Sequence, residues 1–232
     1  MSGKSAIKRI LSKDIKEIEK NKLNELGIFI EFNEENMLEA KAMIIGPKDT
    51  IYEGGILFFK IFFPNNYPYS PPDLCYVSRN RIRIHPNLYT RHHHTGHGKV
   101  CLSILGTWSG PKWTSIMDIS TVLITIQSLL DNKPLLHEPD VSDENYIRNY
   151  SEIIQHENIL TLFIKNTIDI PEGFYQFKDA IENNKNQYKD ILYDKIQKNK
   201  EINKIINSRI YNLNYPINYK FLSEFYKEKI KI

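Results

Sequence analysis

The sequence predicts an α+β fold: an N-terminal helix, a four-stranded antiparallel meander, a long irregular loop, then helices and a helical C-terminal extension. Three observations carry this. Between residues 28 and 78, short runs rich in β-branched and aromatic residues follow one another across turn signals. No helix long enough to connect parallel strands lies between them. Apolar residues at helical spacing lie on both sides of that region. From residue 79 to about 113 neither pattern holds, and loops of such length are usually functional.

The elements follow in order. Ile7, Ile10, Leu11, Ile15, Ile18 and Leu23 recur at helical spacing over residues 5–23, with Lys8, Arg9, Lys13 and Lys16 between them. Gly27 closes that region. Strands are predicted over 28–32, 37–45 and 55–63, divided by Asn33 to Asn36, by Gly46-Pro-Lys-Asp49 and by Glu53-Gly-Gly55. The segment Phe63-Pro-Asn-Asn-Tyr-Pro-Tyr-Ser-Pro-Pro72 is too rich in proline for central sheet, because proline fixes φ and removes a donor. Residues 73–78 form a fourth short strand with Cys75 inside it as a small packing residue. Ser115-Ile-Met-Asp118 matches a capping box ahead of a helix to about 131. Ser142, Asp143 and Glu144 open a helix over 143–168. From Pro171 the composition shifts to Asn, Lys, Ile and Tyr, and helical periodicity continues over 174–212. The chain therefore divides into a core of residues 1–170 and a mildly basic helical extension, 171–232.

Composition narrows the function. Of 232 residues 41% are hydrophobic, enough for a folded core. A net charge of +3 is too small to argue for nucleic acid or an anionic membrane as partner, and neither is expected. No apolar run approaches the roughly 18 residues of a membrane span. The first ten residues lack the apolar core of a signal peptide, so a cytosolic or nuclear location with reduced thiols is expected for Cys75 and Cys101.

The chemistry concentrates in His85-Pro-Asn-Leu-Tyr-Thr-Arg-His-His-His-Thr-Gly-His-Gly-Lys-Val-Cys101. Five of the seven histidines and one of the two cysteines lie in these 17 residues. One reading is a metal site. His92 and His94 share a face, with His97 or His85 as a third ligand. Zinc needs about four ligands converging at ~2.0–2.3 Å. Consecutive histidines point in different directions, no Cys-x-x-Cys pair is present, and Gly96 and Gly98 loosen the loop. The expectation is no metal and no cofactor. The other reading is a site built around Cys101.

Cys101 stands in Gly98-Lys-Val-Cys-Leu-Ser-Ile-Leu105, followed by Trp108 and Trp113. His85-Pro86-Asn87 lies upstream, then Ile44 to Gly55 and Phe63-Pro-x-x-Tyr-Pro-x-x-Pro-Pro72 further back. In this order, over about residues 5–168, these segments resemble the ubiquitin-conjugating enzymes. More narrowly, Gly98-Lys-Val-Cys-Leu-Ser-Ile-Leu-Gly-Thr-Trp108, Ile126-Gln-Ser-Leu129 and Asn149-Tyr-x-Glu-x-Ile-x-His-Glu157 look like the Z subtype, whose members carry a helical C-terminal extension.

The resemblance implies a ubiquitin-conjugating fold and a transferase. Such an enzyme accepts ubiquitin, or a ubiquitin-like modifier, as a thioester from an activating enzyme in an ATP-dependent cascade. It then passes the modifier to a lysine of a protein substrate, often with a ligase. Cys101 is the acceptor by position. A thiolate is both a good nucleophile and a good leaving group, and a small thiolate fraction at neutral pH suffices for transthiolation. Asn87 matches the asparagine that stabilises the tetrahedral oxyanion, or it braces the loop. His85 and Pro86 read as structural residues of that loop. His137 and Glu138 occupy the region where relatives place an acidic residue near the incoming amine, and both are candidates to orient it. The basic face of the first helix, with Lys8, Arg9 and Lys13, is a candidate surface for the activating enzyme. Tyr69 fits the aromatic position used to bind ligases, whereas Thr114-Ser115-Ile116 departs from the family's Ser-Pro-Ala-like segment. A cis bond at Tyr67-Pro68 is also implied. The 14 positions from Asn87 to Cys101 exceed the usual family spacing, and the histidine cluster is the extra material.

Overall fold

The computed structural model describes residues 3–90 and 98–231. The expected first helix is α1 (Lys4–Arg9), a π-helical turn (Ile10–Asp14) and α2 (Ile15–Lys20). The strands are β1 (Ile28–Phe32), β2 (Glu39–Ile45), β3 (Ile56–Phe62), β4 (Asp73–Tyr76) and a two-residue β5 (Gly98–Lys99), neighbours in that order. The antiparallel meander is thus as expected, with β5 as an added edge that pairs Cys75 with Lys99 and Tyr76 with Gly98. Cys75 lies in β4 but is only half-buried, and partial burial raises its thiol pKa. The proline-rich bend carries the cis Tyr67-Pro68 bond.

The helix after the loop is α3 (Ile119–Ser128), and it starts later than expected. Asp118, not Ser115, is its cap. Asp118 is extended, and its carboxylate accepts the Thr121 N–H at 3.1 Å. Met117 instead closes a turn onto Thr114 O. The next helix is α4 (Glu144–Glu157), a π-helical stretch (Asn158–Lys165) and α5 (Asn166–Ile168), capped by Asp143.

The chain forms two compact units. The first joins residues 1–44, 57–78 and 87–129. Its interior holds Ala6, Ile10, Ile28, Met43, Phe58, Phe59, Ile61, Val122 and Ile126. One buried carboxylate organises it. Asp14 accepts the Tyr67 hydroxyl, the Ile119 N–H (3.0 Å) and an Arg9 N–H (2.9 Å). Burial raises the Asp14 pKa, and these donors oppose the rise.

The second unit joins residues 45–56, 79–86 and 130–232. Three asparagines grip its Gly54-Gly55 turn. Asn158 donates to Glu53 O (3.1 Å), Asn184 to Gly54 O (2.8 Å) and Asn166 to Ile56 O (2.7 Å). Gly54 has φ +72°, a conformation that favours glycine. Lys195 also pairs with the buried Glu53.

The extension departs from an all-helical reading. It contains α6 (Lys178–Lys198), an antiparallel hairpin of β6 (Asn203–Ser208) and β7 (Leu213–Asn218), and α7 (Tyr219–Ile230). Ile206, Ser208, Tyr215 and Ile217 alternate inward, the period of a half-buried strand. Helical spacing ends at α6, so residues 199–212 are not the continuation the sequence suggested. Among the described residues no helix is long and apolar enough to cross a membrane.

A buried histidine fastens this hairpin to α4. Tyr215 Oη donates to Glu157 Oε2 at 2.7 Å, and its one hydrogen is thereby used. His156 Nδ1 lies 3.0 Å from Tyr215 Oη and must donate to it, while Nε2 accepts the Asn218 N–H at 3.3 Å. The imidazole is therefore neutral. Burial lowers its pKa below the ordinary 6.5, against weaker raising effects from the Asn218 bond and Glu157. Tyr219 packs edge-on against it at 5.2 Å, and Asn80 donates to the other Glu157 oxygen. Burial and Glu157 also keep Tyr215 protonated by raising its pKa. A folded pKa below the unfolded one stabilises fully above about pH 6.5, and that stabilisation is lost as pH falls toward the folded value. The urea midpoint should therefore drop between about pH 7.5 and 5.5, and drop less in His156→Gln. Equal drops in both proteins would show that His156 is not the group responsible.

Candidate active site

Cys101 lies in the first unit, directly after a ladder that pins it. Leu88 bridges Val100, Tyr89 N donates to Lys99 O (3.0 Å), and Cys101 N donates to Asn87 O (2.9 Å). Asn87 also donates from Nδ2 to Cys101 O at 2.7 Å. One residue thus holds both backbone polar groups of the cysteine. Buried backbone groups need partners, and here they come from the asparagine expected at the site. Cys101 is 3% exposed and Asn87 6%.

The segment after Cys101 turns back at once. Thr107 Oγ1 donates to Val100 O (2.8 Å) and accepts the Leu102 N–H (2.9 Å). Gly106 takes φ +70°, which closes the turn. Thr107 belongs to the quoted motif, but its role in tying both sides of the cysteine was not read from the sequence. A threonine beside a glycine in a strand-poor segment was the available signal.

His85 and Pro86 lie in the second unit, and both are buried. The His85 ring packs 5.0 Å from that of His137 and 6.5 Å from that of Tyr52, whose hydroxyl donates to Ile84 O at 2.6 Å. His85 is thus packed among rings in the interior. His137 ends a 3-10 turn (Pro134–His137), with Nε2 2.9 Å from Asp131 Oδ2. Glu138 follows it and accepts the hydroxyl of Tyr211, from the tip of the β6–β7 hairpin. Sequence reading did not link these two residues. A contact 73 positions apart has no local signature.

On the first helix Lys8 is exposed, but Arg9 is engaged with Asp14 and Met117 O, and Lys13 donates to Ile116 O at 2.5 Å. The exposed basic face therefore comprises Lys8 with Lys4 and Lys16, beside Leu11 at 52% exposure. The Trp113 indole donates to Pro68 O at 2.6 Å and ties the proline-rich bend to the segment that holds Ile116. Tyr69 and Ile116 both stay exposed, at 69% and 77%. Of the loop histidines, His92, His93, His94 and His97 lie outside the described residues.

A sequence model described as "Ubiquitin-conjugating enzyme" matches residues 10–159. The chain belongs to the ubiquitin-conjugating enzyme family. The match includes Asn87, Cys101, His137 and Glu138. The protein named "Ubiquitin-conjugating enzyme E2 Z" in Xenopus tropicalis is 39% identical over 160 residues, which cover 67% of this chain and 48% of that protein. The human protein of the same name is 43% identical over 138 residues, covering 57% and 37%. "Probable ubiquitin-conjugating enzyme E2 25" of Arabidopsis thaliana is 45% identical over 138 residues, covering 56% and 20%. The similarity to the Z subtype thus extends beyond the short motifs, over 138 to 160 aligned residues. The chain spans about half, or less, of the length of these curated relatives.

Proposed function

We propose that this chain is a thioester carrier. It accepts ubiquitin, or a ubiquitin-like modifier, on the Cys101 thiolate from an activating enzyme. It passes the modifier to a lysine of a protein substrate, with or without a ligase. The observation that carries this reading is a family member's Cys101 in a Gly-Lys-Val-Cys-Leu setting, with both its backbone groups held by Asn87.

The chemistry follows from those atoms. In loading, the Cys101 thiolate attacks the modifier's carboxyl-terminal thioester and the activating enzyme's thiolate leaves. In transfer, a neutral lysine amine attacks the carbonyl carbon, and a tetrahedral oxyanion forms. The C–S bond then breaks, the amide forms, and the nitrogen's surplus proton passes by way of solvent to the departing thiolate. In this reading the Asn87 amide is the donor for the oxyanion, and His137 or Glu138 is the group offered to the incoming amine. The exposed face of Lys4, Lys8, Lys16 and Leu11 is the surface offered to the activating enzyme. Tyr69 with Ile116 is the surface offered to a ligase. A non-catalytic binding relative would have no use for this cysteine.

A discharge experiment tests the proposal. The loaded chain is freed of activating enzyme and ATP, then mixed with free lysine. The expected result is decay of the adduct with matching formation of modifier–lysine amide. An adduct that hydrolyses without yielding amide would contradict a transferase role.

A further inference from the structure

The peptide groups on either side of Cys101 are held from two directions. Asn87 takes one polar atom of each. Its backbone oxygen accepts the Cys101 N–H at 2.9 Å, and its Nδ2 donates to Cys101 O at 2.7 Å. Thr107 takes the other atom of each. Its Oγ1 donates to Val100 O at 2.8 Å and accepts the Leu102 N–H at 2.9 Å. Val100 O and the Cys101 N–H belong to the peptide group before the cysteine, Cys101 O and the Leu102 N–H to the one after it. Fixing two planar groups fixes φ and ψ of the residue between them, and with them the direction of its side chain. A hydroxyl suits this task because it both donates and accepts. Local structure delivers it. The 3-10 turn Ser103–Leu105 and Gly106 at φ +70° reverse the chain, and the Thr107 N–H closes onto Leu102 O at 3.2 Å. All of these residues lie in the first unit.

The two holds differ in what the chemistry asks of them. The amide offered to the oxyanion is the same Nδ2 that braces Cys101 O in the resting structure. A hydrogen bond to a full negative charge is roughly twice as strong as one to a neutral carbonyl, so an oxyanion draws the amide away from Cys101 O. Thr107 has no second duty in that step. Its bonds to Val100 O and the Leu102 N–H can stay in place as the amide shifts.

We infer that Thr107 is a positioning residue for the transfer step, whose hydroxyl keeps the Cys101 backbone in place while the Asn87 amide moves to the oxyanion. This rests on the thioester reading above. In loading, Asn87 remains on Cys101 O and the cysteine keeps one of its two holds without Thr107. In transfer, loss of the Thr107 hydroxyl leaves the peptide group after the cysteine loosened at both of its polar atoms. The cost therefore falls on discharge.

The test compares Thr107→Val, which keeps the size and branching and removes the hydroxyl, with Thr107→Ser, which keeps the hydroxyl. Loading, single-turnover discharge to free lysine and urea unfolding are measured in the full chain. The modifier and activating enzyme are a pair that charges the unaltered chain. Thr107→Val should discharge roughly 5- to 30-fold more slowly, the size of one to two ordinary hydrogen bonds, with loading reduced less than about 3-fold. Thr107→Ser should restore most of the lost discharge rate. A further comparison needs no variant. In the unaltered chain the Leu102 amide should be as protected from hydrogen exchange in the loaded state as in the unloaded one. Equal losses in loading and discharge would overturn the inference and leave Thr107 as a plain brace. So would an unchanged discharge rate in Thr107→Val, a Thr107→Ser as slow as Thr107→Val, or a Leu102 amide that loses its protection on loading. Should Thr107→Val fail to fold, the exchange comparison decides alone. Failure of the unaltered chain to load with any modifier would instead overturn the thioester reading, and this inference with it.

Discussion

Asn87→Ala should slow discharge of the loaded chain to lysine about 10²-fold while loading changes far less. Removing one oxyanion donor typically costs a factor of about 10² to 10³. In the resting structure that donor is spent on Cys101 O, at 2.7 Å. Two accounts of Asn87 are thereby separable. If the amide serves the tetrahedral oxyanion, the loss falls on the aminolysis step. If the amide only braces the cysteine, loading and discharge fall together, and the unfolding free energy from urea denaturation drops by the roughly 1–3 kcal/mol of an orphaned buried carbonyl. Rate measurements of both half-reactions on one preparation decide between them. Equal losses in both would remove Asn87 from the chemistry and leave it as a brace.

Gly98→Ala should be the most disruptive small substitution in the loop. A Cβ at this position would lie 1.5 Å from Tyr89 O and 3.3 Å from Tyr76 O. Both are backbone atoms, so no side chain can swing aside to make room. β5 would have to leave β4, and the Leu88–Val100 bridge that precedes Cys101 would open with it. The expected cost is about 3 kcal/mol or more, at the upper end of overpacking effects, with loading lost as well. Denaturant unfolding within about 0.5 kcal/mol of the unaltered chain would show that the strand tolerates a side chain here.

What could be read from the sequence follows physical range. The meander was legible because Ile28 to Phe32, Glu39 to Ile45 and Ile56 to Phe62 announce themselves by composition and are divided by local turn residues. The thioester candidate was legible because Cys101 and Asn87 sit in short ordered motifs. The start of α3 was misplaced because Ser115 and Asp118 are both competent caps, and the choice depends on a turn at Thr114. The hairpin was missed because Asn203 to Ser208 mixes polar residues with isoleucines that also fit a helical stripe. Only pairing with Leu213 to Asn218 reveals its period. Asp14, Asn158, Asn166 and Asn184 look like ordinary helix-surface residues until their partners appear more than 50 positions away. Tyr211 belongs to the same group, since its partner Glu138 lies 73 positions away.

The central claim, a modifier held as a thioester on Cys101, is tested most directly by intact-mass spectrometry. The full chain is incubated with ubiquitin, its activating enzyme and ATP, and in parallel with other modifier pairs. The account predicts an adduct of one modifier that a thiol reductant removes and that Cys101→Ala does not form. Cys101→Ser should give an oxygen ester that survives the reductant. An adduct on Cys101→Ala, or no adduct with any modifier pair, would contradict the account.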